Sequence, residues 1–377
     1  MNNPSSTAAV LEAARAFGAD VIEPNAEAWN DAGSVPREFF REAGAAGLCG
    51  LLVPTEHGGA GLDGAGFTAV LEILAGHCLA STFALVVHNN LAGAIAAHGS
   101  AVHWSRYLGP MLAGERVGAF LLTEPGAGSD AQAITLQARH EDDHWVLDGA
   151  KAWISNAVHG DVLCTYAQTA PGTRARGIAA FLVDADRDGV TRSGGYELLG
   201  GHALGTGGFT FRDCRVDDDA LLHAPGAAFR AAMAGIDLAR SAVAAMCCGL
   251  LARALDEALA YTTARRAFDT HVADFQAVQF MLADCATDLE AARALTARAV
   301  AAPAAAATLA AAHAKKFATR VAFERVATCM QVMGAAGLER ARPLARHLAA
   351  AKISQYLDGA SEIQNVVIAR ALVAARR

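Results

Sequence analysis

The feature that most limits what this chain can become is a change of hydrophobic period, made twice along its length. From Ala8 to about Gly118 apolar residues recur at helical spacing, as in Val70, Leu71, Leu74 and Leu79, with short Gly-rich breaks such as EHGGAGLDGAG at 56–66. Between 119 and 222 the apolar runs shorten to Ala133–Ala138, Trp145–Leu147, Val162–Tyr166, Ile178–Val183 and Phe209–Phe211, parted by Gly and Asp turns. Beyond Pro225 the helical period returns, and Phe275, Val278, Leu282, Cys285 and Leu289 fall on one stripe. The order predicts an α+β chain of three units: helices over 1–118, a small antiparallel β unit over 119–222, and a helical bundle over 223–377. A chain of 377 residues is long enough for these units to share an interior.

Charge removes one class of partner. With 31 Lys+Arg against 38 Asp+Glu the net charge is -7, and no basic block could neutralise a run of phosphates, so nucleic acid is not expected. The eight cysteines are scattered without CxxC spacing, as reduced, buried thiols would be. MNNPSSTAAV lacks the charged and apolar parts of a secretory signal, and Ala299–Ala314 is too Ala-rich and Pro-broken to span a bilayer. A soluble cytoplasmic protein with no membrane association is the expectation.

Two motifs carry the chemistry of the middle unit. LLTEPGAGSD at 121–130 joins an apolar run, a Thr-Glu-Pro break, a Gly-Ala-Gly loop and a Ser-Asp step. Such a backbone can lie against a flat or phosphorylated ligand with hydroxyls aimed at it. KAWISNA follows at 151–157. Together, in this order, they resemble the flavin cradle of the acyl-CoA dehydrogenase family, and two further blocks extend the resemblance over the chain. The resemblance implies an N-terminal helical bundle, a middle antiparallel β-barrel or sandwich, and a C-terminal four-helix bundle with FAD between the last two. It implies that Thr123 bonds the pyrimidine end of the flavin, Ser129 contacts the pyrophosphate, Trp153 packs near the ring and the Ser155 hydroxyl reaches N5, with Leu121 and Gly128 in the same cradle. A donor at N5 would stabilise charge building in the ring.

The block YTTARRAFDTHVADFQ at 261–276 resembles the family's Arg-x-x-Phe-Gly stretch running into Phe-Gln, matched at Arg265, Phe268 and Gln276. Asp269 stands where Gly usually ends the helix, and His271 where Pro is common. Asp tolerates a left-handed helix end better than most residues. QVMGAAG at 331–337 is similar to the family's Gln-x-x-Gly-Gly-x-Gly, with Gln331 and Gly334 matched and Ala335 in place of the second Gly. Both blocks serve a neighbouring subunit's flavin in the family, which implies a homo-oligomer, with a tetramer as the family default.

QYLDGASEIQ at 355–364 lies between two helical stretches; Gly359 interrupts the helix, and Ser361 with Gln364 reads as a capping box that restarts it. Asp358 occupies the place of the family's Glu base, Ala360 that of a cofactor-contacting Thr, and Glu362 is carried over beside it. In the family that base removes the α-proton of an acyl thioester while flavin N5 takes the β-hydride, and the resemblance implies the same role for Asp358. The resemblance implies that the thioester carbonyl accepts bonds from the backbone N–H of Asp358 and a flavin hydroxyl, which would spread the enolate charge. Burial should raise the carboxylate pKa. Asp is one methylene shorter than Glu, and a misplacement near ~1 Å can cost ~100-fold in rate.

Some branches keep their base in a Gly-Leu-Asp-Leu-Glu-Arg segment; GIDLAR at 235–240 matches it with Ala239 at the Glu position. Asp237 and Arg240 match residues on the thioester side of the cleft, where Ser129 and Gly359 are also assigned to substrate. An ordinary helix ion pair explains Asp237 and Arg240 nearly as well.

HEDDH at 140–144 spells the zinc-protease HExxH, a pattern that works only on a helix, and here it reads as a polar turn. No metal is expected. GAGLDG at 59–64 spells GxGxxG without the preceding strand that a dinucleotide fold needs.

The reading is an FAD-dependent dehydrogenase of an acyl-CoA or acyl-carrier-protein thioester, with an electron-transfer flavoprotein or oxygen as acceptor. Two alternatives stay open: a nitroalkane oxidase-like member, a branch that also uses Asp, and a flavin-poor homologue acting as a helical scaffold.

Overall fold

The computed structural model describes residues 6–376. The first third is helical: α1 (Thr7–Phe17), α2 (Glu23–Ala32), α3 (Arg37–Ala45), α4 (Gly64–His77), α5 (Leu79–His98), and the short α6 (Ala101–His103) and α7 (Gly109–Leu112). Asp63 caps α4 by accepting the Gly66 N–H at 2.8 Å, which satisfies one orphan donor of the first turn. The GAGLDG run is therefore a helix entry preceded by a short turn at Thr55–His57.

The middle third holds β1 (Val117–Leu121), β2 (Gln137–Glu141), β3 (His144–Ile154), β4 (Gly160–Gln168), β5 (Ile178–Asp184), β6 (Val190–Arg192), β7 (Gly207–Asp217) and β8 (Leu221–His223). They form one sheet in the order β6-β7-β3-β2-β4-β5-β8, with β1 also paired to β4. Most neighbours are antiparallel, but β1 runs parallel to β4, and β2 meets β4 in parallel at Gln137 and Gln168. The chain returns to β4 only after the whole β2–β3 hairpin, and that long crossover is what a parallel pair requires.

Two strand expectations shift. The run at 133–138 becomes strand only at Gln137, since Ala131–Ala133 is a helical turn. Trp145–Leu147 is the start of an eleven-residue strand that also carries Lys151 to Ile154. β3 is hydrogen-bonded on both sides, to β2 and β7, so its polar members do not end it. HEDDH forms the β2–β3 hairpin, with Asp142 at φ 53 and His140 paired to Asp218 at 2.8 Å.

The last third comprises α8 (Ala228–Ala264), the two-residue strands β9 (Arg266–Ala267) and β10 (Thr270–His271), α9 (Gln276–Val300), α10 (Ala304–Val332), α11 (Leu344–Ser354) and α12 (Ser361–Ala374). Leu282, Cys285 and Leu289 are buried along α9, as the stripe requires. One apolar core joins the first and last units: Phe39, Phe67, Leu71 and Leu74 pack in the same cluster as Val243, Leu250, Val321 and Val326. A second cluster seats Leu91 and Ile95 of α5 against Val162 and Ile178 of the sheet. The helices Leu79–His98 and Ala228–Ala264 are long and apolar enough to cross a bilayer, but 83% of each apolar window is buried inside the protein, so they serve as core. All eight cysteines are buried free thiols, and burial pushes Cys49 up to about 12.

Candidate active site

The 121–130 and 151–157 motifs meet through a buried ion pair that the sequence reading gave no role. Lys151 Nζ lies 2.9 Å from Glu124 Oε1 and donates to the Leu122 carbonyl at 3.0 Å. Glu124 also accepts the Thr135 and Leu136 N–H groups and the Thr135 hydroxyl at 2.7–2.9 Å. Burial opposes the charge on Glu124, yet its carboxyl lies below the usual range because Lys151 and these donors outweigh the desolvation. Burial brings Lys151 down to about 8, with Glu124 resisting the fall. Ala152 N–H donates to the Thr123 carbonyl, so the two motifs run together as a single bracket.

On that bracket Leu121 is buried, Thr123 and Ser155 are half-buried, and Gly128 and Ser129 are exposed. The hydroxyls of Thr123, Ser129 and Ser155 find no protein partner among the described residues. A Cβ placed on Gly126 or Gly128 would meet nothing within 4 Å. Trp153, at φ 59, is 61% exposed and packs edge-on to Tyr196 at 5.0 Å. Free hydroxyls, open glycines and a presented indole fit a flat, phosphorylated ligand.

Tyr196 links this cradle to the second half of the site. It belongs to the loop at 193–206, where Gly200 and Gly201 pass so near α11 that a side chain would strike Ala349 and Ile353. From α11 the chain enters the turn at 355–359. Asp358 stands there at φ 50 and Gly359 at φ 94, a backbone that Gly adopts freely and Asp tolerates. Asp358 Oδ2 is buried without a hydrogen-bond partner. Burial raises its carboxyl from 3.8 to about 6, while Lys315 and Arg240 hold it from going higher.

Around the turn, Arg240 Nε donates to the Asp358 carbonyl at 3.1 Å, and Arg240 Nη1 pairs with Asp237 at 2.8 Å. Asp237 also receives the Thr308 hydroxyl. The ion pair and the site role thus coexist, since the same guanidinium grips the turn. Ala239 is buried on α8 and brings no carboxylate.

The capping box expected at Ser361 and Gln364 is not formed. Ala360 is the cap position, Ser361 is already helical, and Gln364 reaches back to donate to the Gly359 carbonyl at 2.9 Å. Gly359 carries the chain one residue further before the helix starts, which takes Ser361 out of the capping geometry. Glu362 lies exposed in the first turn of α12.

The two remaining blocks lie on the outside. Arg265, Phe268, Gln276, Gln331 and Gly334 are all exposed, Phe268 to 92%. The helix end expected at Asp269 falls five residues earlier, at Ala264, with Arg265 as its cap. Phe268 and Asp269, at φ 50 and 62, instead form the two-residue turn of the β9–β10 hairpin. Positive φ at both central positions is the tight hairpin geometry that suits Asp. Ala335 is exposed, so its added methyl meets no crowding within this chain.

Sequence reasoning also missed Lys315 and gave Gln364 a capping role in place of its bond to Gly359; both are fully buried and both are bonded to the turn. A signal for Lys315 existed: it shares the apolar stripe of Ala311, Ala318 and Ala322 at helical spacing.

The fold and the two-part site define a flavin-dependent oxidoreductase, and comparison with known proteins supplies the family. Residues 5–115, 119–214 and 226–373 match the acyl-CoA dehydrogenase N-terminal, middle and C-terminal domains. The chain is 35% identical to the short-chain specific acyl-CoA dehydrogenase, mitochondrial, of Homo sapiens, over 99% of this chain and 92% of that protein. Butyryl-CoA dehydrogenase from Megasphaera elsdenii superposes with a TM-score of 0.93 at 30% identity, over 99% of both chains. The structure of PigA with FAD and proline superposes at 0.91 with 25% identity, over 99% of this chain and 98% of that one. The chain belongs to the acyl-CoA dehydrogenase family. It is a flavin oxidoreductase of a family whose homologues act on CH–CH donors, and its cofactor is FAD, which sets aside the scaffold alternative.

Proposed function

We propose that this enzyme removes hydrogen from Cα and Cβ of a saturated acyl-CoA to leave a trans-2-enoyl thioester, with Asp358 as the base. The observation that carries the reading is a buried carboxylate oxygen without a partner, on a glycine-hinged turn, with its pKa raised to about 6. Such a group is ionised at neutral pH yet basic enough to take an acidified α-proton. The Asp358 N–H has no backbone acceptor among the described residues, and it can donate to the thioester carbonyl as charge moves onto it. When bound, FAD supplies the two-electron acceptor for the β-hydrogen.

Thr123, Ser129, Trp153 and Ser155, with Leu121 and Gly128, hold that cofactor from this chain, and Ala360 and Glu362 border it. Arg265, Phe268, Gln276, Gln331 and Gly334 reach a neighbouring copy's cofactor, a role supported by their exposure and by the lack of any ion pair on Arg265 within the described residues. Ser129, Asp237, Arg240 and the Gly359 backbone line the thioester. The short-chain and butyryl-CoA relatives support a short acyl group; a carrier-protein thioester presents the same chemistry, and the acceptor is an electron-transfer flavoprotein or oxygen. Eight free buried thiols suit a reducing cytoplasm.

Asp in place of Glu favours a second reading, a nitroalkane-oxidising member. Anaerobic mixing with acyl-CoAs, acyl-carrier proteins and nitroalkanes separates the two. We expect flavin bleaching with a short saturated acyl-CoA, at least ~100-fold slower in Asp358→Asn with FAD still bound. Parent-like bleaching in Asp358→Asn would refute the base assignment.

A further inference from the structure

We propose that Lys315 is the positioning residue of the catalytic turn: its buried ammonium clamps the carbonyls of Gln355 and Gly359 and holds Asp358 between them. The proposal rests on the reading of Asp358 as the base. Lys315 sits on α10 with no exposed surface, donating to the Gln355 carbonyl at 3.1 Å and the Gly359 carbonyl at 2.7 Å. Those two acceptors bracket the turn, one residue beyond Asp358 and three before it. A buried ammonium without a close carboxylate is costly, and among the described residues Lys315 makes no ion pair within 4.0 Å. A methionine would fill the same space without that cost, so packing does not account for a lysine here.

Two carbonyl bonds fix what the rest of the turn leaves loose. Arg240 holds the Asp358 carbonyl from α8, and Gln364 shares the Gly359 carbonyl from α12. Among the described residues, only Lys315 ties both ends of the turn to a single point. Its charge also acts on the carboxylate. The groups that bear on it are Asp358 in the turn, Cys247 and Arg240 from α8, and Glu362 from α12, with Asp358 the strongest partner. Burial brings Lys315 down to about 8, so at pH 7 it is still a cation beneath an ionised Asp358.

The test uses the FAD-loaded enzyme. In Lys315→Met we expect flavin reduction at pH 7 to slow by ~10- to 100-fold, as a ~1 Å displacement of the base would cause, with thioester affinity little changed. The acid limb of the reduction rate should move to higher pH, because removing the cation makes Asp358 harder to ionise. Lys315→Arg, which keeps the charge and two donors, should restore the limb. Infrared difference spectra against Asp358→Asn read the Asp358 titration directly, and Lys315→Met should move it upward in the apo protein as well. If Lys315→Met fails to fold, Lys315→Gln, with donors but no charge, carries the same two readouts.

A neutral variant with the parent's rate and titration overturns the positioning role. That result, with Asp358→Asn slow, leaves the base reading standing, whereas a fast Asp358→Asn overturns the base reading itself. In the Asp358→Asn background, Lys315→Met should slow reduction no further; an additional loss of the same size means that Lys315 acts elsewhere and sinks the proposal.

Discussion

At the scale of single residues, the cradle stands on a pair that touches no ligand. Lys151 and Glu124 are almost wholly buried, and each is neutralised by the other and by backbone groups. Removing one partner of such a pair leaves an uncompensated charge in the interior, at a cost of about 3–5 kcal/mol. Lys151→Met should therefore lower the stability of the apo protein by about that amount in a urea titration. Loss of FAD retention should accompany it, since Thr123 and Ser155 lie just beyond the ends of β1 and β3, on the segments that the pair holds together. The residue types were visible within the two motifs, but their pairing was not: Glu124 and Lys151 are 27 positions apart, and only the folded sheet brings them together. The pairing of Lys315 with the turn, 44 positions away at Gly359, was hidden for the same reason. Asp358 was legible because its signal is local, a short acid beside Gly between two helical stretches.

At the scale of elements, the helical unit is pinned to the sheet by His88. Its Nε2 donates to the Met111 carbonyl at 3.0 Å, and its Nδ1 accepts the Gly118 N–H at 3.2 Å, so α5, α7 and the start of β1 share one neutral imidazole. Burial lowers its pKa from 6.5 to about 4. The unfolded chain therefore takes up a proton that the folded one refuses between those values. The stability from a neutral His88 is complete above about 6.5 and is lost as pH falls toward 4. His88→Gln keeps a donor and an acceptor but cannot titrate, so its stability should fall less steeply between pH 6.5 and 4, by about one proton's worth of slope in unfolding titrations. The periods in the sequence identified helices and strands but not the parallel β1–β4 pair or the early end of α8. Pairing direction and helix termination depend on contacts from distant segments, here β4 against β1 and the β9–β10 hairpin beyond Ala264.

At the scale of the whole molecule, several residues matched to cofactor contacts face outward. Arg265 is exposed and makes no ion pair among the described residues, so Arg265→Ala should leave the apo protein's melting temperature unchanged. If it serves a neighbouring copy, the same variant should release FAD more readily on dilution, measured by gel filtration with flavin absorbance. Equal retention by variant and parent would place Arg265 outside any shared site.

The left-handed backbone at Asp358 gives the exchange of acid a second side. Asp enters that conformation more readily than Glu does, because its short polar side chain can bond locally. The substitution that withdraws the carboxylate by one carbon also relaxes the joint beneath it. Reach and ease trade against each other at this one position, and a glutamate put back here would stretch farther from a tenser hinge.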